Sequence, residues 1–102
     1  MRYTELFEQN LPNVIRAEIT KMGLNPKEIN NDHCSTLAHR VINAWMGQIP
    51  LKLKTSYGKN VARHDWIEYL GKQYDAENPE GVDKSKKLKF FRRNKNSTIT
   101  QS

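Results

Sequence analysis

The sequence predicts an α+β domain, with N-terminal helices and a central helix packed on a small antiparallel sheet. Apolar residues recur at helical spacing up to Gly47 and at strand spacing after it. Helices followed by a β-meander are typical of an α+β fold. A chain of 102 residues supports one modest core, so we expect a single catalytic-type domain over residues 1–93. Residues 94–102 are expected to form a flexible basic and polar tail.

The N-terminal region, residues 3–23, is predicted to be helical in two pieces, because Pro12 suits the first turn of a helix and breaks an interior. The second piece carries the apolar residues Leu11, Ile15, Ile19 and Met22, and Gly23 is its expected end. Residues 25–28, Asn-Pro-Lys-Glu, carry a capping signal for one further short turn.

The central helix is predicted over residues 34–46, where a wide apolar stripe runs to Trp45 and Met46 and Gly47 ends it. We then expect three strands, at residues 49–54, 61–69 and 73–76, with turns at 57–60 and at Gly71. Near the C-terminus, three apolar residues are expected to anchor the basic segment to the domain: Leu88, Phe90 and Phe91.

The formal net charge of +6 belongs to the C-terminal segment. From Asp83 onward the chain has seven basic residues and one acidic residue, whereas the first 82 residues are balanced. A single cysteine excludes an intramolecular disulfide and favours a reducing cytosol. No apolar run approaches the ~20 residues of a membrane span, and residues 1–5 lack the apolar block of a signal peptide. We therefore expect a cytoplasmic protein without membrane partners.

Cys34, His64 and Asp75 are the candidate catalytic residues. Cys34 opens the central helix, where unpaired N–H groups and the helix dipole favour a thiolate. If Leu70 and Gly71 form a two-residue hairpin loop, Trp66 lies opposite Asp75, and His64 shares their face of the sheet. A thiol, an imidazole and an orienting carboxylate form the arrangement that nucleophilic cysteine chemistry requires.

These residues also carry a resemblance to a known family. Residues 34–38 and 47–50, then His64-Asp65-Trp66-Ile67-Glu68, then Tyr74-Asp75-Ala76, resemble the transglutaminase-like branch of the papain-like superfamily. The resemblance implies Cys34 as nucleophile, His64 as base, Asp75 as orienting acid and an amide as the substrate bond. We therefore expect a protein or peptide substrate, and we expect no cofactor.

The glutamine that helps to form the oxyanion hole of papain-like members has no counterpart in this chain, and Asn30 or Asn31 is the candidate replacement. Trp66 is expected to pack in the core and to shield the His–Asp pair. A zinc site is not expected, since the spacing of His33, Cys34 and His39 matches no common ligand pattern.

The basic segment from Lys84 to Lys95 leaves a second function open. Its basic residues alternate with aromatic residues, a pattern that can bind single-stranded nucleic acid by charge and by stacking on bases. We favour the alternative, a solvated segment whose phenylalanines pack on the domain. The alternative to an enzyme is thus a non-catalytic module that binds nucleic acid or protein. The sequence does not indicate an oligomeric state.

Overall fold

Helices come first along the chain and a small sheet follows, in a computed structural model that describes residues 10–56 and 63–93. Three helices, α1 (Leu11–Met22), α2 (Pro26–Asp32) and α3 (Cys34–Ala44), precede strands β1 (Lys52–Ser56), β2 (His64–Tyr69) and β3 (Lys72–Tyr74). A 3-10 turn (Ser85–Lys87) and a short helix, α4 (Lys89–Arg93), follow the sheet. The predicted α+β class is confirmed. The helical piece before residue 10, the turn at 57–60 and the tail 94–102 lie outside the described residues.

Local capping signals define the ends of α1 and the start of α2. Asn10 caps α1 by accepting a hydrogen bond from the N–H of Asn13, at 3.3 Å. Gly23 ends the helix in the left-handed conformation, with φ of 72°. Asn25 and Glu28 form a complete capping box, and α2 then extends to Asp32, well beyond the single turn predicted.

The helix α3 ends at Ala44, two residues before its predicted end at Met46. Trp45 already has an extended backbone, and its indole N–H donates to the carbonyl of Ile49 at 2.9 Å. Met46 is therefore 78% exposed, although the apolar pattern predicts it to be buried. The residues after Ala44 form a loop, and β1 therefore starts at Lys52 and not at the predicted residue 49.

The sheet has the order β1-β2-β3, with both neighbouring pairs antiparallel. Ile67 pairs with Tyr74 and Tyr69 with Lys72, so the hairpin loop consists of Leu70 and Gly71, the first of the loops that the sequence allowed. One step further along this register, Asp75 follows β3 opposite Trp66. The third strand is shorter than predicted and ends before Asp75.

The two faces of the sheet are covered by different parts of the chain. Ile67 and Tyr74 belong to the main core, together with apolar side chains of α1, α2 and α3. Trp66 belongs to a second cluster that contains the anchor residues Leu88, Phe90 and Phe91. The sheet is thus enclosed between the N-terminal helices and the C-terminal segment. Among the described residues, no helix combines the length and the apolar character needed to cross a bilayer.

The β2–β3 hairpin provides a test of backbone strain. Leu70 has a φ of 51° and Gly71 a φ of 80°, as in the type I′ turns that prefer Asn-Gly. A left-handed backbone costs a residue such as leucine about 1–2 kcal/mol, and Leu70 is 67% exposed, so its side chain contributes little packing. We expect Leu70→Asn to raise the free energy of unfolding by about 1 kcal/mol in urea denaturation. Leu53→Asn, at an exposed strand position, should give no gain, and an equal gain there would contradict the explanation.

Candidate active site

Cys34 lies at the first position of α3, directly after the N-cap residue His33. Its side chain is partly buried, and its Sγ accepts a hydrogen bond from the backbone N–H of Asp65 at 3.4 Å. The start of α3 therefore meets the start of β2, which also begins with His64. The sulfur is placed at a helix N-terminus, where backbone N–H groups and the helix dipole stabilise negative charge.

His64 is fully buried and hydrogen-bonded to Asp75. Its Nε2 lies 2.9 Å from Oδ2 of Asp75. Nδ1 is also buried, and no other described residue forms a regular hydrogen bond with it. Because Asp75 occupies Nε2, Nδ1 is the ring nitrogen left to interact with the Cys34 thiol. The structure thus brings the three predicted catalytic side chains together.

Cys34 and His64 shift each other's pKa values. Burial raises the pKa of Cys34, but the nearby imidazole of His64 and the hydrogen bond from the Asp65 backbone lower it by more, so the pKa lies below its ordinary value. Burial lowers the pKa of His64, but the hydrogen bond and charge of Asp75 and the nearby thiol of Cys34 outweigh that effect, so this pKa lies above its ordinary value. Both shifts favour a thiolate–imidazolium pair.

Asp75 is held by four contacts. Its Oδ1 accepts the backbone N–H groups of Glu77 at 3.1 Å and Asn78 at 2.9 Å. Its Oδ2 accepts from His64 and from Nδ2 of Asn30, the latter at 3.3 Å. The Asx-type turn after β3 therefore fixes the carboxylate, and one oxygen faces the histidine.

The predicted supporting residues lie at different places around the site. Asn30 is buried and donates to Asp75 and, at 2.9 Å, to Glu77, so both N–H bonds of its amide are used and none is left for an oxyanion at Cys34. Asn31 is exposed, and its Oδ1 accepts from Arg93 at 3.4 Å. Neither amide is thus directed at the sulfur, because each is bound to groups around Asp75.

Trp66 is buried against the histidine, as its expected shielding role requires. Its ring is nearly parallel to that of His64, with centroids 5.9 Å apart. The indole N–H donates to Oε1 of Gln73 at 2.7 Å, so its polar atom is satisfied inside the core.

Three residues around the site were missed by the sequence analysis as functional residues: Glu77, Phe90 and Arg93. Phe90 stacks on His64 with centroids 4.2 Å apart and planes 14° apart. Arg93 forms an ion pair with Glu77, which in turn binds Asn30. The only sequence signal was the apolar anchor pattern, which predicts burial of Phe90 but not its contact with the histidine.

A cavity of about 10 Å³ beside Cys34 is lined mostly by apolar core residues, with Asn30, Asp65 and Asp75 as its polar residues. That volume is on the order of a single water molecule. A substrate would therefore have to approach Cys34 from the solvent side. In the described part of the chain, no three His, Cys, Asp or Glu side chains are grouped so as to hold a metal ion, and His33 and His39 are both exposed.

Comparison with known proteins gives no relative: no family model, curated protein or solved structure matches the chain.

Proposed function

We propose that this protein is a cysteine-dependent hydrolase or acyltransferase that acts on amide bonds of a protein or peptide through Cys34, His64 and Asp75. The observation that carries the proposal is the buried hydrogen bond between His64 and Asp75 at the start of β2, where the Asp65 backbone N–H also binds the sulfur of Cys34. The lowered pKa of Cys34 and the raised pKa of His64 support it. The sequence resemblance to the transglutaminase-like branch of the papain-like superfamily rests on the same residues.

The proposed reaction begins with a proton on Nδ1 of His64 and a thiolate on Cys34. The thiolate attacks the carbonyl carbon, a C–S bond forms, and the carbonyl oxygen becomes negative. The first N–H groups of α3, including that of Cys34, have no intrahelical partner and are available to stabilise this oxyanion. Asp75 keeps the Nε2 proton in place, so that proton transfer runs through Nδ1.

The second half of the reaction releases both products. The tetrahedral intermediate collapses, the C–N bond breaks, and His64 transfers its proton to the leaving amine. The acyl group remains on Cys34 as a thioester. Water or a second amine, deprotonated by His64, then attacks the thioester carbon; the C–S bond breaks, the acyl product leaves, and the Cys34 thiolate and protonated His64 are restored. A reducing compartment such as the cytosol would keep this lone thiol reduced, and we include that setting in the proposal.

The pH dependence of Cys34 alkylation tests the pairing without a known substrate. Because the chain has one cysteine, iodoacetamide reports on this thiol alone. Since His64 lowers the pKa of Cys34, we expect the alkylation rate to rise at a lower pH than that of free cysteine. In His64→Ala the lowering effect of the imidazole is lost while burial remains, so the midpoint should move to a higher pH than in the wild type.

His39→Ala is the matched control for this experiment, because His39 is an exposed histidine on the same helix. It should leave the alkylation profile unchanged. A wild-type midpoint equal to that of free cysteine, and unaffected by His64→Ala, would contradict the proposed function.

The second candidate is a non-catalytic binding function for the basic segment. Lys84, Lys86 and Lys89 are exposed and could contact phosphates. However, Phe90 and Phe91 are buried against His64 and Trp66, so their rings are not available to stack on bases. The catalytic function therefore remains the better supported of the two.

A further inference from the structure

A bidentate ion pair joins α4 to the turn that holds Asp75. Nη2 of Arg93 lies 2.9 Å from Oε1 of Glu77, and Nη1 lies 3.0 Å from Oε2. Planar guanidinium and carboxylate groups in this arrangement fix each other's orientation as well as their separation. Arg93 therefore sets the direction of the Glu77 carboxylate.

Glu77 connects this ion pair to the catalytic carboxylate through Asn30. Its Oε1 accepts from Nδ2 of Asn30 at 2.9 Å, and the same nitrogen donates to Oδ2 of Asp75. That oxygen is the one bound to His64. Burial raises the pKa of Glu77, but the hydrogen bonds from Arg93 and Asn30 lower it by a larger amount. The carboxylate of Glu77 therefore stays ionised and continues to accept hydrogen bonds.

A second set of contacts runs from Arg93 to the same imidazole. The guanidinium carbon of Arg93 lies 5.8 Å from the centroid of the Phe90 ring, within the range of a cation–π contact. Phe90 in turn stacks on His64. The contacts through Glu77 fix the Asp75 carboxylate that binds Nε2 of His64. The contacts through Phe90 fix the orientation of the imidazole plane.

We propose that Arg93 is a positioning residue of this site, which holds the His64–Asp75 pair in register with Cys34 through Glu77 and through Phe90. The inference rests on the proposed function and deepens it, since it makes the C-terminal helix α4 part of the catalytic arrangement. Arg93 does not contact the sulfur or the reacting atoms.

The test is the pH profile of Cys34 alkylation by iodoacetamide in the full chain with Arg93→Gln. Loss of the guanidinium leaves the Glu77 charge without its ion-pair partner and loosens the ring against the thiol. Both effects disfavour the thiolate, so the pKa of Cys34 should rise. At neutral pH we expect alkylation about three- to tenfold slower than in the wild type, because one pKa unit changes the thiolate fraction about tenfold.

Two further variants separate positioning from charge and from folding. Arg92→Gln removes the same charge from the neighbouring, exposed position and should leave the midpoint unchanged. Arg93→Lys keeps the charge but cannot span both oxygens of Glu77, so its midpoint should fall between those of the wild type and Arg93→Gln. Circular dichroism melting of each variant reports whether it is folded.

A folded Arg93→Gln variant with the wild-type midpoint would overturn the inference and leave the proposed function intact. If Arg93→Gln does not fold, a wild-type midpoint in Arg93→Lys overturns it in the same way. A wild-type midpoint no lower than that of His64→Ala would instead contradict the proposed function, and the inference with it.

Discussion

Replacement of His64 by alanine is expected to slow the acylation of Cys34 by p-nitrophenyl acetate about 10²–10⁴-fold, the range that a positioned acid–base group contributes. The variant loses the proton acceptor for the thiol and the positive charge that stabilises the thiolate. It also separates Cys34 from Asp75, because the imidazole is the link between them. The measurement is the rate of nitrophenolate release, with mass spectrometry to detect a single acetyl group on the protein.

His39→Ala should acylate at the wild-type rate, because that histidine is exposed and lies away from the thiol. Cys34→Ser keeps the shape of the side chain and should lose the acyl-protein signal, since a hydroxyl is a far weaker nucleophile at neutral pH. A rate in His64→Ala within about tenfold of the wild type would fall short of general acid–base catalysis, and the proposed role of His64 would be wrong.

Phe91→Ala is expected to lower the free energy of unfolding by about 3–5 kcal/mol, the cost of truncating a buried aromatic side chain. Phe91 is 2% exposed, and its ring packs edge-on against Trp66 at 5.4 Å and against His64 at 5.5 Å. For a domain whose total stability is about 5–15 kcal/mol, this is a large fraction. Urea denaturation followed by tryptophan fluorescence measures the change.

Arg92→Ala is the control for this prediction, because it changes the next residue of the same helix at an exposed position. It should change stability by no more than about 0.5 kcal/mol. A loss below about 1 kcal/mol in Phe91→Ala would mean that the C-terminal helix is not part of the core.

The hairpin register could be predicted because it depends on neighbouring residues. Two runs of strand-forming residues separated by Leu70 and Gly71 leave few possible pairings, and a two-residue loop fixes which side chains are opposite each other. The register brings His64, Trp66 and Asp75 to one face, as predicted. The start of α3 at Cys34 is likewise a local property, read from the apolar spacing that follows it.

The start of β1 could not be predicted from the alternation of Ile49, Leu51 and Leu53. Trp45 leaves the helix and its ring lies over Gly47, where a Cβ would clash with the indole. The indole then binds the carbonyl of Ile49 and packs edge-on against Tyr69 at 5.1 Å. These contacts hold residues 45–51 out of the sheet, and an apolar pattern does not encode them.

The roles of Asn30 and the C-terminal helix were decided by contacts between residues far apart in the chain. Asn30 meets Asp75 and Glu77 across separations of 45 and 47 residues. Phe90 stacks on His64 from the short helix that follows the sheet in the chain. Such partners depend on how complete layers pack, so side-chain type and spacing alone did not identify them.

The sequence by itself therefore determined the α+β class, the helix that presents Cys34 and the hairpin that aligns His64 with Asp75. Each follows from periodicity, capping or turn length within about a dozen residues. Only the tertiary structure decided that the Asp65 backbone binds the sulfur, that Asn30 binds the carboxylate and that α4 covers the histidine. The physical reason is that burial and hydrogen-bond partners are set when distant elements pack, and local backbone preferences do not specify that packing.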